Sequence, residues 1–166
     1  MESLVTWFTI HLSGVISREA IVFIISLMPI LELRGGLLAA SLLKVPITKA
    51  IVLCVVGNIL PIPFILLFIK KIFAWMRKFK AFQKLIDWLE EKALSKSDKI
   101  GTVEFVGLML FVGIPIPGTG AWMGSLIAAL LDIDFKKAIL AELLGIFMAT
   151  IIMSIVSYGL LGAIIR

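Results

Sequence analysis

The nineteen residues from Ile51 to Ile69 contain no charged side chain and one strongly polar one, Asn58. Over the whole chain 61% of residues are hydrophobic and 16% charged, with a mean hydropathy of +1.13, too little polar surface to cover a water-soluble globule of 166 residues. The bilayer is the expected solvent. In hydrocarbon every backbone N–H and C=O needs an internal partner, and the run lacks the period-two alternation of a barrel strand. The predicted fold class is therefore all-α integral membrane.

Charge placement suggests an orientation. Nine of the sixteen Lys and Arg residues crowd into 70–99, and Lys136 and Lys137 follow further on. The positive-inside rule puts 70–99 and 132–137 in the cytoplasm, which makes the expected location a cytoplasmic membrane crossed more than once. Apolar flanks and interleaved aromatics argue for a membrane surface as the partner of this basic block, and against nucleic acid. The N-terminal residues have no Lys or Arg before their apolar stretch and no A-x-A pattern after it, unlike a cleavable signal peptide. Residues 1–17 read as an interfacial helix. Cys54 lies inside an apolar run and reads as a small hydrophobe.

Two spans are long enough to cross. Ile47 to Ile69 follows Pro46 and stops at Lys70-Lys71, while Phe135 to Ile165 has length to spare. Pro61 and Pro63 should kink the first. Residues 72–99 form the linker, an amphipathic helix with Trp75 and Trp88 near headgroup level. Two other apolar segments, 18–44 and 102–132, are interrupted. Arms at Ala20–Ile30 and Leu37–Leu43 flank LELRGG; arms at Val103–Ile114 and Ala121–Leu131 flank PIPGTG. An eleven-residue arm covers roughly 16 Å, about half of a bilayer core, so each segment should be a re-entrant hairpin turning at mid-depth.

A shift of 88 residues aligns the halves without a gap, with ten identities over 29–57, including Pro29 with Pro117, Gly36 with Gly124, Lys49-Ala50-Ile51 with Lys137-Ala138-Ile139 and Gly57 with Gly145. Each half, 18–71 and 100–166, holds one hairpin and one crossing helix. An odd number of crossings per half makes the repeat inverted, the plan of transporters whose sites lie where broken helices meet.

PILELRGG at 29–36 and FVGIPIPGTGAWMG at 111–124 resemble the signature segments of the small multi-drug export family, which is itself distantly similar to the DedA (VTT) superfamily. The resemblance implies two re-entrant hairpins and, by the family's name, drug efflux; through DedA it implies movement of a phosphorylated polyprenyl carrier lipid. This chain is short and lacks the Arg-rich segment of the DedA group.

An ionisable residue at mid-depth needs a reason. One reading makes Glu32 and Arg34 an internal clasp, with Glu32 bonded by Arg34 or by N–H groups of the opposing hairpin. The other starts from second arms opening at Gly35-Gly36 and Gly120-Ala121. Their free N–H groups, with Arg34, Pro117, Gly118, Thr119 and Trp122 around them, make a mid-membrane substrate site for an anion such as a lipid phosphate. Glu32 would couple transport to protons, with Glu142 as a relay or else an interfacial residue snorkelling beside Lys137. Glu104 reads as interfacial, Asn58 as a helix-to-helix hydrogen bond, and His11 has no metal-binding partners. Neither P-loop nor nucleotide fingerprint is present, so the chain is expected to be no enzyme and to need no cofactor. The leading expectation is a proton-coupled transporter of an anionic substrate among membrane lipids, possible also as a homodimer. Its rivals are a proton-coupled exporter of lipophilic cations and a scaffold without transport that docks partners through 71–98.

Overall fold

A computed structural model describes residues 17–95 and 104–160, and every regular element among them is helical. The expectations for His11, for most of the 1–17 helix, for residues 96–103 and for the last residues of the final helix fall outside the described residues. Helix α1 is Arg18–Leu27, α2 Glu32–Leu42, α3 Ile47–Ile59, α4 Pro61–Met76, α5 Lys80–Leu94, α6 Glu104–Gly113, α7 Ala121–Leu130 and α8 Phe135–Ser154, extended by a π-helical turn at Ile155–Leu160.

Both interrupted segments fold back on themselves. Arg18 Nη1 donates to the Leu43 carbonyl at 3.3 Å across twenty-five residues, ends that one straight helix would hold roughly 37 Å apart. In the second segment a Cβ added to Gly124 would stand 2.8 Å from Val112 and 3.3 Å from Leu108, so α7 runs back along α6. The break of the first hairpin lies earlier than the sequence reading placed it. Met28–Leu31 make the turn, and Glu32, Arg34, Gly35 and Gly36 already belong to α2, because the Glu32 N–H bonds to Met28 O at 2.9 Å and the Gly35 N–H to Leu31 O at 2.7 Å. Gly35 and Gly36 therefore offer close packing and not free N–H groups: a Cβ on Gly35 would meet Leu31 at 2.8 Å, and one on Gly36 would meet Ser26 and Cys54.

The two hairpins end alike. Lys44 and Asp132, 88 residues apart, both have positive φ, at 57° and 55°. Each closes its helix with a Schellman pair: Val45 N–H to Ala40 O and Ile133 N–H to Ala128 O, both at 2.9 Å. Pro46 then starts α3, while Asp134 caps α8 by accepting the Lys137 N–H.

Two stretches, Ile47–Met76 and Phe135–Gly159, are long and apolar enough to cross a membrane. The first breaks only at Leu60, before Pro61, and then continues past Lys70 and Lys71 to Met76, seven residues beyond the expected end. Long lysine stems let those charges reach water without ending the helix, so the chain turns only at 77–79. The shared interior is made by α1 against α2 and α3, by α6 against α8, and by α4 against α7. The outward faces stay apolar: Phe64, Phe147 and Ile155 are 59%, 66% and 63% exposed, as hydrocarbon-facing side chains would be.

Candidate functional site

Broken helices leave two kinds of orphan: the last carbonyls of the first arm and the first N–H groups of the second. At the tip of the second hairpin these orphans point at α2, which answers both. Arg34 Nη1 donates to the carbonyls of Ile116 (2.7 Å) and Thr119 (3.2 Å), and Nη2 to those of Val112 (3.3 Å) and Ile114 (3.1 Å) and to Thr119 Oγ1 (2.9 Å). A cation thus sits on the negative end of α6. Glu32 does the converse. Its Oε1 accepts the Trp122 N–H at 3.0 Å in the first turn of α7, whose own cap residue, Gly120, has no side chain to offer. The carboxylate lies flat against Gly120, which is held at φ 126°. Any Cβ there would strike it.

Glu32 and Arg34 are both buried and form no ion pair with each other among the described residues. Two residues apart on a helix they face different ways, so each reaches a different end of the broken pair. Of the two expectations, the clasp to the opposing hairpin is the arrangement present, made through backbone groups. Arg34 spends its fork on acceptors of the protein, and the anion site built around it loses its principal donor. Thr119 also turns inward, its Oγ1 within 2.8 Å of Ile116 O and 3.1 Å of Ile114 O. Pro117 and Gly118 form the exposed rim of the loop, Gly118 at φ 79°.

Trp122 has a second role. Its ring Nε1 donates to Leu27 O, the last residue of α1, at 3.2 Å. Arg34 and Trp122 occupy equivalent positions under the 88-residue shift, and each caps the first arm of the other hairpin. Glu32 and Gly120 are likewise equivalent, and they touch; Glu32 shares the positive φ, at 50°.

Glu142 does not snorkel. It is 0% exposed, on the face of α8 turned to α7, where Oε2 accepts the Ser125 hydroxyl at 2.8 Å while Oε1 has no hydrogen-bond partner among the described residues. Ser125 lies one turn beyond Trp122, so two carboxyl groups from different helices meet the opening turns of α7. Ser125 was not anticipated, although its place beside Gly124, the repeat partner of Gly36, was visible. The shift also pairs Glu142 with Cys54. Cys54 packs against Gly36 as Glu142 packs near Gly124, so the halves share geometry but only one keeps an acid. Asn58 is 3% exposed with its Oδ1 unpartnered among the described residues, so the expected bond to a neighbouring helix is not made there. Glu104 begins α6 and is exposed, and no cluster able to hold a metal occurs among the described residues.

Between α3 and α8 runs an open apolar groove of about 690 Å³, lined among others by Val55, Ile59, Ile146, Phe147, Thr150 and Ser154. Ile146 stands one helical turn from Glu142.

Described residues whose regular elements are all helical, two of them long and apolar, with outward apolar faces and two buried acids, one of them at a helix break, make this a membrane protein by class. Residues 32–152 match the model of the family described as "Putative small multi-drug export protein", and the chain belongs to that family. No curated protein and no solved structure matches it, and the likeness to the DedA superfamily is not shown.

Proposed function

We propose that this protein is a proton-coupled exporter of small lipophilic cations, working in a cytoplasmic membrane with residues 70–95 and 132–137 on the cytoplasmic side. The two hairpins enter the bilayer from opposite faces and meet at its centre. Support for that placement comes from arms of ten and eleven residues, about half a core thickness each, and from tips that bond to one another.

The observation that carries the reading is Glu142: fully buried, bonded once by a serine hydroxyl, with one carboxyl oxygen unanswered and no cation paired with it among the described residues. A carboxyl group so placed is stable when neutral, and its ionised form needs a positive partner. A proton supplies the first condition and a cationic substrate the second, so one site binds either but not both. That exclusion is the coupling. The apolar groove beside Ile146 suits the hydrophobic body of such a substrate. The anionic-substrate reading is weaker because the Arg34 fork is already filled.

The test is uptake of tetraphenylphosphonium into proteoliposomes driven by a proton gradient. Glu142→Gln, which still accepts the Ser125 hydroxyl, should fold normally and abolish the proton-driven component. Full transport by that variant would refute the proposal.

A further inference from the structure

The end of α4 and the start of α5 form an elbow that the transport reading leaves unused. Phe64, Phe68, Ile72 and Trp75, at the i, i+4, i+8, i+11 spacing, make one outward stripe of α4, each at least 44% exposed. The stripe continues past the end of the helix: Trp75 stacks edge-on to Phe79 at 5.2 Å, and Phe79 to Phe82 at 6.4 Å. Helix α5 is held to the body through Ile86 and Ala93, both wholly buried, and packs on α7. Its neighbouring face, Leu85 and Trp88, stays 47% and 51% exposed, with Lys92 Nζ 4.2 Å from the centre of the Trp88 ring. Around these aromatics stand Lys71, Lys78, Lys80 and Lys84, all exposed and none in an ion pair among the described residues, whereas Arg77 is engaged by Asp87 and Glu90.

We propose that this elbow is a docking surface for anionic phospholipid headgroups, with the aromatic chain seated at the headgroup boundary and the four lysines in the phosphate layer. Two observations select lipid over an acidic protein. The aromatic chain is continuous with the hydrocarbon-facing stripe of α4, so the bilayer reaches the elbow without interruption. Among the described residues the four lysines stand unpaired on it against a single unpaired acid, Glu91 near the far end of α5, an excess of positive charge that complements an anionic leaflet. Body-side anchoring through Ile86 and Ala93 fixes the depth of α5, making lipid composition a determinant of how firmly α7, and with it Ser125 and Trp122, is held. The inference rests on the membrane class and not on what is transported.

The experiment uses the full chain reconstituted in phosphatidylcholine with spin-labelled phosphatidylglycerol or phosphatidylcholine as probes, read as the protein-restricted fraction of each. Wild type should favour the phosphatidylglycerol probe several-fold, and 1 M salt, which cuts screening distances to about 3 Å, should remove most of that preference. The combined Lys71→Gln, Lys78→Gln, Lys80→Gln, Lys84→Gln variant should show near-equal fractions. Equal fractions in wild type overturn the proposal and leave an acidic protein as the occupant. A variant as selective as wild type, or a preference unchanged by salt, overturns it too. If the variant fails to reconstitute, the salt dependence of wild type decides.

Discussion

Arg34 and Trp122, equivalent positions of the 88-residue repeat, each reach across the contact between hairpins to donate to carbonyls that end the other's first arm: Arg34 to Val112 and Ile114, Trp122 to Leu27. The two side chains differ in charge and shape yet do one job. Arg34 does more of it, because it has more donors and sits opposite the more open loop. The consequence is that the tips hold each other, and loss of either side chain should be felt in both hairpins.

Arg34→Ala strands the buried Val112 carbonyl and three part-buried ones at once, and stranded polar groups cost about 1–3 kcal/mol each when buried. The expected loss is about 3–5 kcal/mol of stability, measured as a fall in the thermal midpoint in detergent. Arg34→Lys should recover less than half, since one ammonium cannot span the acceptors that a planar fork reaches. Full recovery by lysine would show that charge alone matters at this position.

Trp122→Phe keeps the ring and removes only the bond to Leu27 O, so a loss of about 1 kcal/mol is expected. Its backbone N–H to Glu32 is untouched. Combined with Arg34→Ala it should give a non-additive total, because the two share one interface. Strict additivity in a double-mutant cycle would mean that the hairpins are held independently.

Lys44 and Asp132 pay the steric cost of the left-handed region at helix ends where glycine is at ease. Lys44→Gly should stabilise by about 1 kcal/mol. Asp132→Gly should gain slightly less, for it gives up the 2.6 Å bridge to Lys70, whose partners are 46% and 83% exposed and which is worth about 0.5 kcal/mol. Thermal midpoints of the two single variants check both the sign and the order.

Gly120→Ala should be the most damaging of the glycine substitutions. It combines a φ of 126° with a direct collision with the Glu32 carboxylate, so its cost should exceed about 3 kcal/mol. Gly36→Ala collides with the ends of two side chains, Ser26 Oγ and Cys54 Sγ, and adding Cys54→Ala should restore part of the loss. Absence of any rescue would place the strain in the backbone.

Much of this arrangement was legible in the residues. Apolar run lengths set the helices, and the 88-residue shift pairs positions with matching local features, from the positive φ of Lys44 and Asp132 to the close packing at Gly36 and Gly124. The exact start of α2 was not legible, because Glu-Leu-Arg-Gly-Gly reads locally as a helix breaker. Its glycines are accommodated in the helix by the close approach of Leu31, Ser26 and Cys54. Nor could spacing reveal what Arg34 donates to: carbonyl acceptors belong to the backbone and leave no trace in residue type.

The sequence by itself determined the solvent and the plan. A 61% hydrophobic composition points its helices to hydrocarbon, and Pro29 and the Pro115–Gly120 run lie where the two interrupted segments turn. Only the tertiary structure decided which orphaned helix ends face which charges, since that depends on groups more than seventy-five residues apart meeting in space. It also left Glu142 with one oxygen unanswered among the described residues, a fact about its neighbours and not about glutamate.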